Sequence, residues 1–157
     1  MQAIFDAHYD AVYKYIRYLT NDPQLTHDFV QETFYRFFQK KYASHERMVL
    51  LKIARNLVAD HCRRQKIISF FQMTDEPPAT AKLPEEVVIQ NAELERLYDA
   101  LQQIKWQYRE VIVLRYIEEY SVQETAAILN CNETKVKNHT ARGLKALRAL
   151  LGGDADE

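Results

Sequence analysis

Ser121-Val122-Gln123-Glu124-Thr125-Ala126-Ala127-Ile128-Leu129-Asn130-Cys131-Asn132-Glu133-Thr134-Lys135-Val136-Lys137-Asn138-His139 is the stretch that decides the fold. Ser121 followed three residues later by Glu124 is a capping box, and it predicts a short helix through Ala126, Ala127, Ile128 and Leu129. Asn130-Cys131-Asn132 stops that helix, and Asn132 is a good N-cap for a last helix from Glu133 to about Leu151. Short helix, tight turn and basic helix together make a helix-turn-helix. At 100° per residue, Val136, Thr140, Gly143, Leu144, Leu147 and Leu151 share one arc, the predicted packing face. Lys135, Asn138, His139 and Arg142 form an adjacent polar stripe able to reach base edges in a major groove, while Lys137, Lys145 and Arg148 suit phosphates. An ordinary amphipathic surface helix would carry a similar stripe. Agreement of capping box, turn and a run without acids from Lys135 to Arg148 favours recognition. Gly143 costs about 1 kcal/mol relative to Ala inside a helix, so it marks either a close helix approach or a tolerated defect.

Upstream of this stretch the same 3.6-residue period recurs. Phe5, Val12, Tyr15, Ile16 and Leu19 predict a first helix from about Phe5 to Leu19. Asn21-Asp22-Pro23 stops it and starts the next, with Asp22 as N-cap and Pro23 at the first helical position. Leu25, Phe29, Val30, Phe34, Phe37 and Phe38 then make an aromatic core stripe. A third helix begins near Met48 and ends in Arg63-Arg64-Gln65-Lys66. Helical spacing returns after Val88 through Leu94, Leu97, Leu101 and Ile104, followed by the apolar set Val111, Ile112, Leu114 and Tyr116. Only three glycines and four prolines occur in 157 residues, which leaves little to turn the strands of a sheet protein. The expected class is all-α, two small helical domains of residues 1–66 and 89–157 joined by a linker, 67–88, that contains Pro77, Pro78 and Pro84. The apolar start of that linker, Ile67 to Met73, is expected to dock on the first domain or on a partner.

The net charge of −1 hides a strong segregation. Residues 47–66 carry a net +5, residues 135–148 another +5, and the 67–134 stretch between them −7. Two basic patches flanking an acidic stretch are the footprint of a chain that meets nucleic acid twice and something else between, although solvated faces would carry the same charge. The remaining composition narrows the function classes. The two cysteines, Cys62 and Cys131, lack disulfide or zinc spacing, and no metal or cofactor site is expected. No glycine-rich phosphate loop and no nucleophile triad appears, and His8, His27, His45 and His61 read as surface or capping residues, so the chain is expected not to be an enzyme. No signal-like N-terminus and no membrane-length apolar run occurs, which makes the cytoplasm the expected home, without membrane insertion.

Two further stretches carry a family resemblance. Asp28-Phe29-Val30-Gln31-Glu32-Thr33-Phe34 with Ile53-Ala54-Arg55-Asn56-Leu57-Val58-Ala59-Asp60-His61-Cys62-Arg63-Arg64, and Tyr108-Arg109-Glu110-Val111-Ile112-Val113-Leu114-Arg115-Tyr116 with the helix-turn-helix, resemble the extracytoplasmic-function (ECF) type of bacterial RNA polymerase sigma factor. The similarity covers nearly the whole chain. It implies that Asp28, Gln31 and Glu32 bind core polymerase at the β′ clamp, and that Arg55, Asn56, Arg63 and Arg64 meet the promoter's minus-10 element and assist its opening. Lys135, Lys137, Asn138, His139 and Arg142 would bind the minus-35 element, and the β flap would be a further contact on core polymerase. An anti-sigma factor is a further expected partner, besides core polymerase and promoter DNA. Departures from the family pattern are Val49 where Trp is common, Lys105 where Pro is common, His139 where Arg is common, and a shorter polar stretch before Met48. A freestanding helix-turn-helix regulator and a non-initiating sigma-like adaptor are the alternative readings; the first leaves residues 28–34 and 53–64 unexplained.

Overall fold

In a computed structural model, residues 2–41, 44–72 and 92–152 are described. They form α1 (Gln2–Thr20), α2 (Pro23–Gln39), α3 (Glu46–Gln72), α4 (Ala92–Gln103), α5 (Trp106–Ile112), α6 (Val122–Leu129) and α7 (Glu133–Leu151), with no strand among the described residues. Packing sorts them into two units, α1 to α3 within Met1–Val87 and α4 to α7 within Val88–Glu157.

In the first unit, local chemistry sets the helix ends. Asn21 takes a left-handed conformation (φ 49°) and its N–H donates to the Arg17 carbonyl at 2.8 Å, which closes α1. Asp22 Oδ1 then accepts from the N–H groups of Gln24 (3.0 Å) and Leu25 (3.1 Å), opening α2 behind Pro23 as the sequence predicts. The core is Val12, Tyr15, Ile16 and Leu19 of α1, Val30, Phe34 and Phe37 of α2, and Leu50, Leu51, Ala54 and Val58 of α3. Of the aromatic stripe, Val30, Phe34 and Phe37 are core and Leu25, Phe29 and Phe38 are half-buried beside them, with Phe5 of α1 laid against Phe34 at 4.8 Å between ring centroids.

Helix α3 departs from expectation at its end. It passes Lys66 and continues to Gln72, because Arg63 to Gln72 contains no glycine, proline or capping residue able to stop it. The segment expected to begin the linker is a helical extension instead, and Ile67, Ile68, Phe70 and Phe71 are exposed on it, not docked on the first domain. Linker residues 73–88 and the start of the next periodic run, 88–91, lie outside the described residues.

The second unit buries Tyr98, Ala100 and Leu101 of α4, then Ile104, Val111, Ile112, Val113 and Leu114, then Thr125, Ala126, Ile128 and Leu129 of α6 and Val136, Thr140, Gly143 and Leu147 of α7. Five consecutive buried residues, Glu110 to Leu114, the last four of them apolar, exceed what one face of an α-helix can bury. The chain accommodates them by widening after Ile112 into a π turn over Val113–Ile117, where the Glu118 N–H donates to the Val113 carbonyl at 2.9 Å. Tyr116, grouped with the apolar set on the sequence pattern, is turned outward by this change and stands 52% exposed.

Candidate nucleic-acid and polymerase interfaces

The turn of the second unit is built as its sequence dictates. Ser121 Oγ accepts from the Glu124 N–H at 3.0 Å while Glu124 Oε1 accepts from the Ser121 N–H at 2.9 Å, a complete capping box. Asn130 closes α6 in a left-handed conformation (φ 55°), and Asn132 Oδ1 accepts from the Lys135 N–H at 2.8 Å to open α7. Asparagine tolerates both roles because its short amide can bond to nearby backbone.

Helix α7 is two-sided. Val136, Thr140, Gly143 and Leu147 are buried, and the Thr140 hydroxyl donates to the Val136 carbonyl at 2.7 Å. Lys135, Lys137, Asn138 and Arg142 are exposed, so the basic and amide groups expected to face DNA do face outward. His139 is only half-buried against α5, its imidazole edge-on to the Tyr108 ring with centroids 5.6 Å apart. Burial first, and then the Lys135 and Arg142 charges, hold this imidazole below its ordinary value.

Residue Gly143 has a structural reason. A β-carbon there would lie 2.7 Å from Ile112 Cδ1 and 3.0 Å from Tyr108 Cβ. The close approach is the reading that holds, not the tolerated defect. Arg109, conspicuous in the sequence only as part of the family pattern, turns out to cap its neighbour. Its guanidinium donates to the carbonyls of Leu101 (2.6 Å), Gln102 (3.2 Å) and Ile104 (3.1 Å) at the end of α4. Arg96 similarly donates to the Leu151 carbonyl of α7 at 3.1 Å.

The candidate residues of the first unit fall on two helices. On α3, Asn56 and Arg63 lie seven apart and so share a face; Arg55 is half-buried beside them and donates to Asn56 Oδ1 at 3.2 Å. Arg63 is paired with Asp60 one turn earlier, and Arg64 is exposed. On α2, Asp28 and Gln31 are exposed, while Glu32 accepts from Arg36 Nε at 2.8 Å in an exposed i,i+4 pair. The only sequence signal for the Arg36 and Asp60 pairings is the ordinary helical spacing to Glu32 and Arg63. His61, expected as a surface or capping residue, lies half-buried with its ring centroid 5.5 Å from that of Phe29 on α2.

Residues 4–67 match the family Sigma-70 region 2, and residues 94–147 match Sigma-70, region 4. Across 94% of this chain and 81% of its own length, the ECF RNA polymerase sigma factor SigX of Bacillus subtilis is 35% identical. The chain belongs to the ECF family of RNA polymerase sigma factors. The ECF sigma factor SigL of Mycobacterium tuberculosis is 32% identical over 96% of this chain and 88% of that one. The fold agrees with that of the sigma factor RpoE from Bartonella quintana, solved with the anti-sigma factor NepR, at a TM-score of 0.80 and 20% identity over 98% of this chain and 97% of that one. As a sigma factor, this chain binds core RNA polymerase and directs promoter-specific transcription initiation. Among the described residues no helix is long and apolar enough to cross a membrane, and no group of three or more metal-ligating side chains occurs.

Proposed function

We propose that this ECF sigma factor divides its work among three side-chain sets, with the unit that runs through Gln72 of α3 as the polymerase and minus-10 domain, residues 73–88 as the connector and 89–157 as the minus-35 domain. Asp28, Gln31 and Glu32 of α2 engage the β′ clamp; the exposed Glu32–Arg36 pair is worth only about 0.3–0.5 kcal/mol and exchanges readily for a partner's cation. Arg55, Asn56, Arg63 and Arg64 of α3 meet the minus-10 element and assist strand opening. Lys135, Lys137, Asn138, His139 and Arg142 of α7 read the minus-35 element, with the second domain seated at the β flap. The factor acts in the cytoplasm, performs no catalysis of its own, and has an anti-sigma factor as a partner, as RpoE has NepR in its complex.

One observation carries the reading: the side of α7 opposite its buried face presents Lys135, Lys137, Asn138 and Arg142 to solvent without a single acid between Lys135 and Arg148. Promoter-specific run-off transcription by core polymerase tests it, with three sets of variants followed separately. Gln31→Ala with Glu32→Ala weakens polymerase capture on every promoter. Arg142→Ala relaxes preference at one position of the upstream element and spares capture. Asn56→Ala spares both and lowers permanganate reactivity of unpaired thymines. Loss of the same step by all three, or of none while the fold stays intact, overturns the assignments.

A further inference from the structure

The notch at Gly143 does more than seat α5. Gly143 follows His139 by four residues, one turn further along the same side of α7. The helix that rests on the glycine through Tyr108 Cβ therefore carries the Tyr108 ring over the preceding turn. There the ring meets the His139 imidazole at 5.6 Å and 70°. His139 sits at the edge of the polar stripe nearest the buried face, between Asn138 and Arg142 along the helix axis, and it alone of the five assigned α7 residues is not fully exposed.

We propose that Tyr108, outside every set of DNA-contacting residues named above, is a positioning residue for promoter reading: its ring fixes the orientation in which the His139 imidazole faces the bases. This inference rests on the assignment of α7 to the upstream element. An exposed side chain must lose rotamer freedom when it binds a base, and a side chain already held by a neighbouring ring has less to lose. The charges acting on the imidazole are those of Lys135 and Arg142 on its own helix, while Lys105, just before α5, lies over the Tyr108 ring with Nζ 5.9 Å from its centroid. Burial first, and then the two cations of α7, favour the neutral imidazole. A neutral imidazole offers one N–H donor and one acceptor nitrogen, so its orientation decides which base edge it satisfies.

The test uses holoenzyme assembled from the full chain and core polymerase, competing promoter fragments that differ singly across the upstream element. Tyr108→Leu keeps an apolar side chain over Gly143 and removes the ring; Tyr108→Phe keeps the ring. The expected result is an approximately tenfold loss of preference in Tyr108→Leu at one base pair, the same one affected by His139→Ala, with no further loss in the double variant and retention in Tyr108→Phe. Unchanged preference in folded Tyr108→Leu, or equal weakening at every position, overturns the inference, the latter because a purely structural role acts uniformly. In the unmodified chain, cross-relaxation between the Tyr108 ring protons and the His139 imidazole is expected by NMR. Its absence overturns the inference whether or not the leucine variant folds. Absence of any upstream preference in the unmodified holoenzyme brings down the α7 assignment and this inference together, whereas a failure confined to the variants brings down the inference alone.

Discussion

Replacing Gly143 by alanine sets two known effects against each other. Helix propensity favours alanine by about 1 kcal/mol. The new methyl would meet Ile112 Cδ1 at 2.7 Å and Ile112 Cγ1 at 3.3 Å, but these belong to a side chain that can swing aside. Tyr108 Cβ at 3.0 Å cannot, because it is bonded directly to the α5 backbone, so α5 must retreat by a few tenths of an ångström. Overfilling a packed contact costs about 1–3 kcal/mol. The net expectation for Gly143→Ala is a destabilisation of about 1 kcal/mol, with a fall in melting temperature of roughly 4–8 °C for a unit of this size. Trp106, the only tryptophan, opens α5 and reports selectively on this unit in urea unfolding followed by fluorescence. Ile112→Val deletes Cδ1 and costs about 0.5–1.5 kcal/mol alone; in the Gly143→Ala background it should cost less or restore stability. A Gly143→Ala variant that gained the full propensity term, with strict additivity to Ile112→Val, would refute the close-approach argument.

Two further outcomes follow from the same unit. Arg109→Met removes the donor to three carbonyls at the end of α4 and should destabilise the unit by about 2–3 kcal/mol in calorimetry, a method preferred because the guanidinium also lies 5.7 Å from the Trp106 ring centroid. The depressed His139 value means that the unfolded chain binds the proton more readily than the folded one, so stability falls as pH drops from about 6.5 through the lower folded value and is constant again beneath it. Melting curves taken across that window should show a smaller slope in His139→Gln, and an equal slope would remove His139 as its source.

The helical class, the Asp22, Ser121 and Asn132 caps, the stop of α6 at Asn130-Cys131-Asn132 and the two faces of α7 were legible in the chain itself. Each is settled by groups within about one helical turn, where backbone geometry already fixes which atoms can meet. The outward placement of Lys135, Lys137, Asn138 and Arg142 follows from the same periodicity, since burying Val136, Thr140 and Leu147 leaves them no other direction. Packing decided the rest. Helix α3 runs six residues past Lys66 because a cluster of charges is no stop signal by itself. The π turn after Ile112 arises because four successive apolar side chains have to enter one core, and it sends Tyr116 outward. Arg109 reaches carbonyls five to eight residues back only because α5 folds against the end of α4. Tyr108 and His139 stand 31 positions apart, and Gly143 could equally have been a defect. Whether residues so distant touch depends on the angle and depth at which two helices pack, quantities set by every side chain between them and carried by no local pattern.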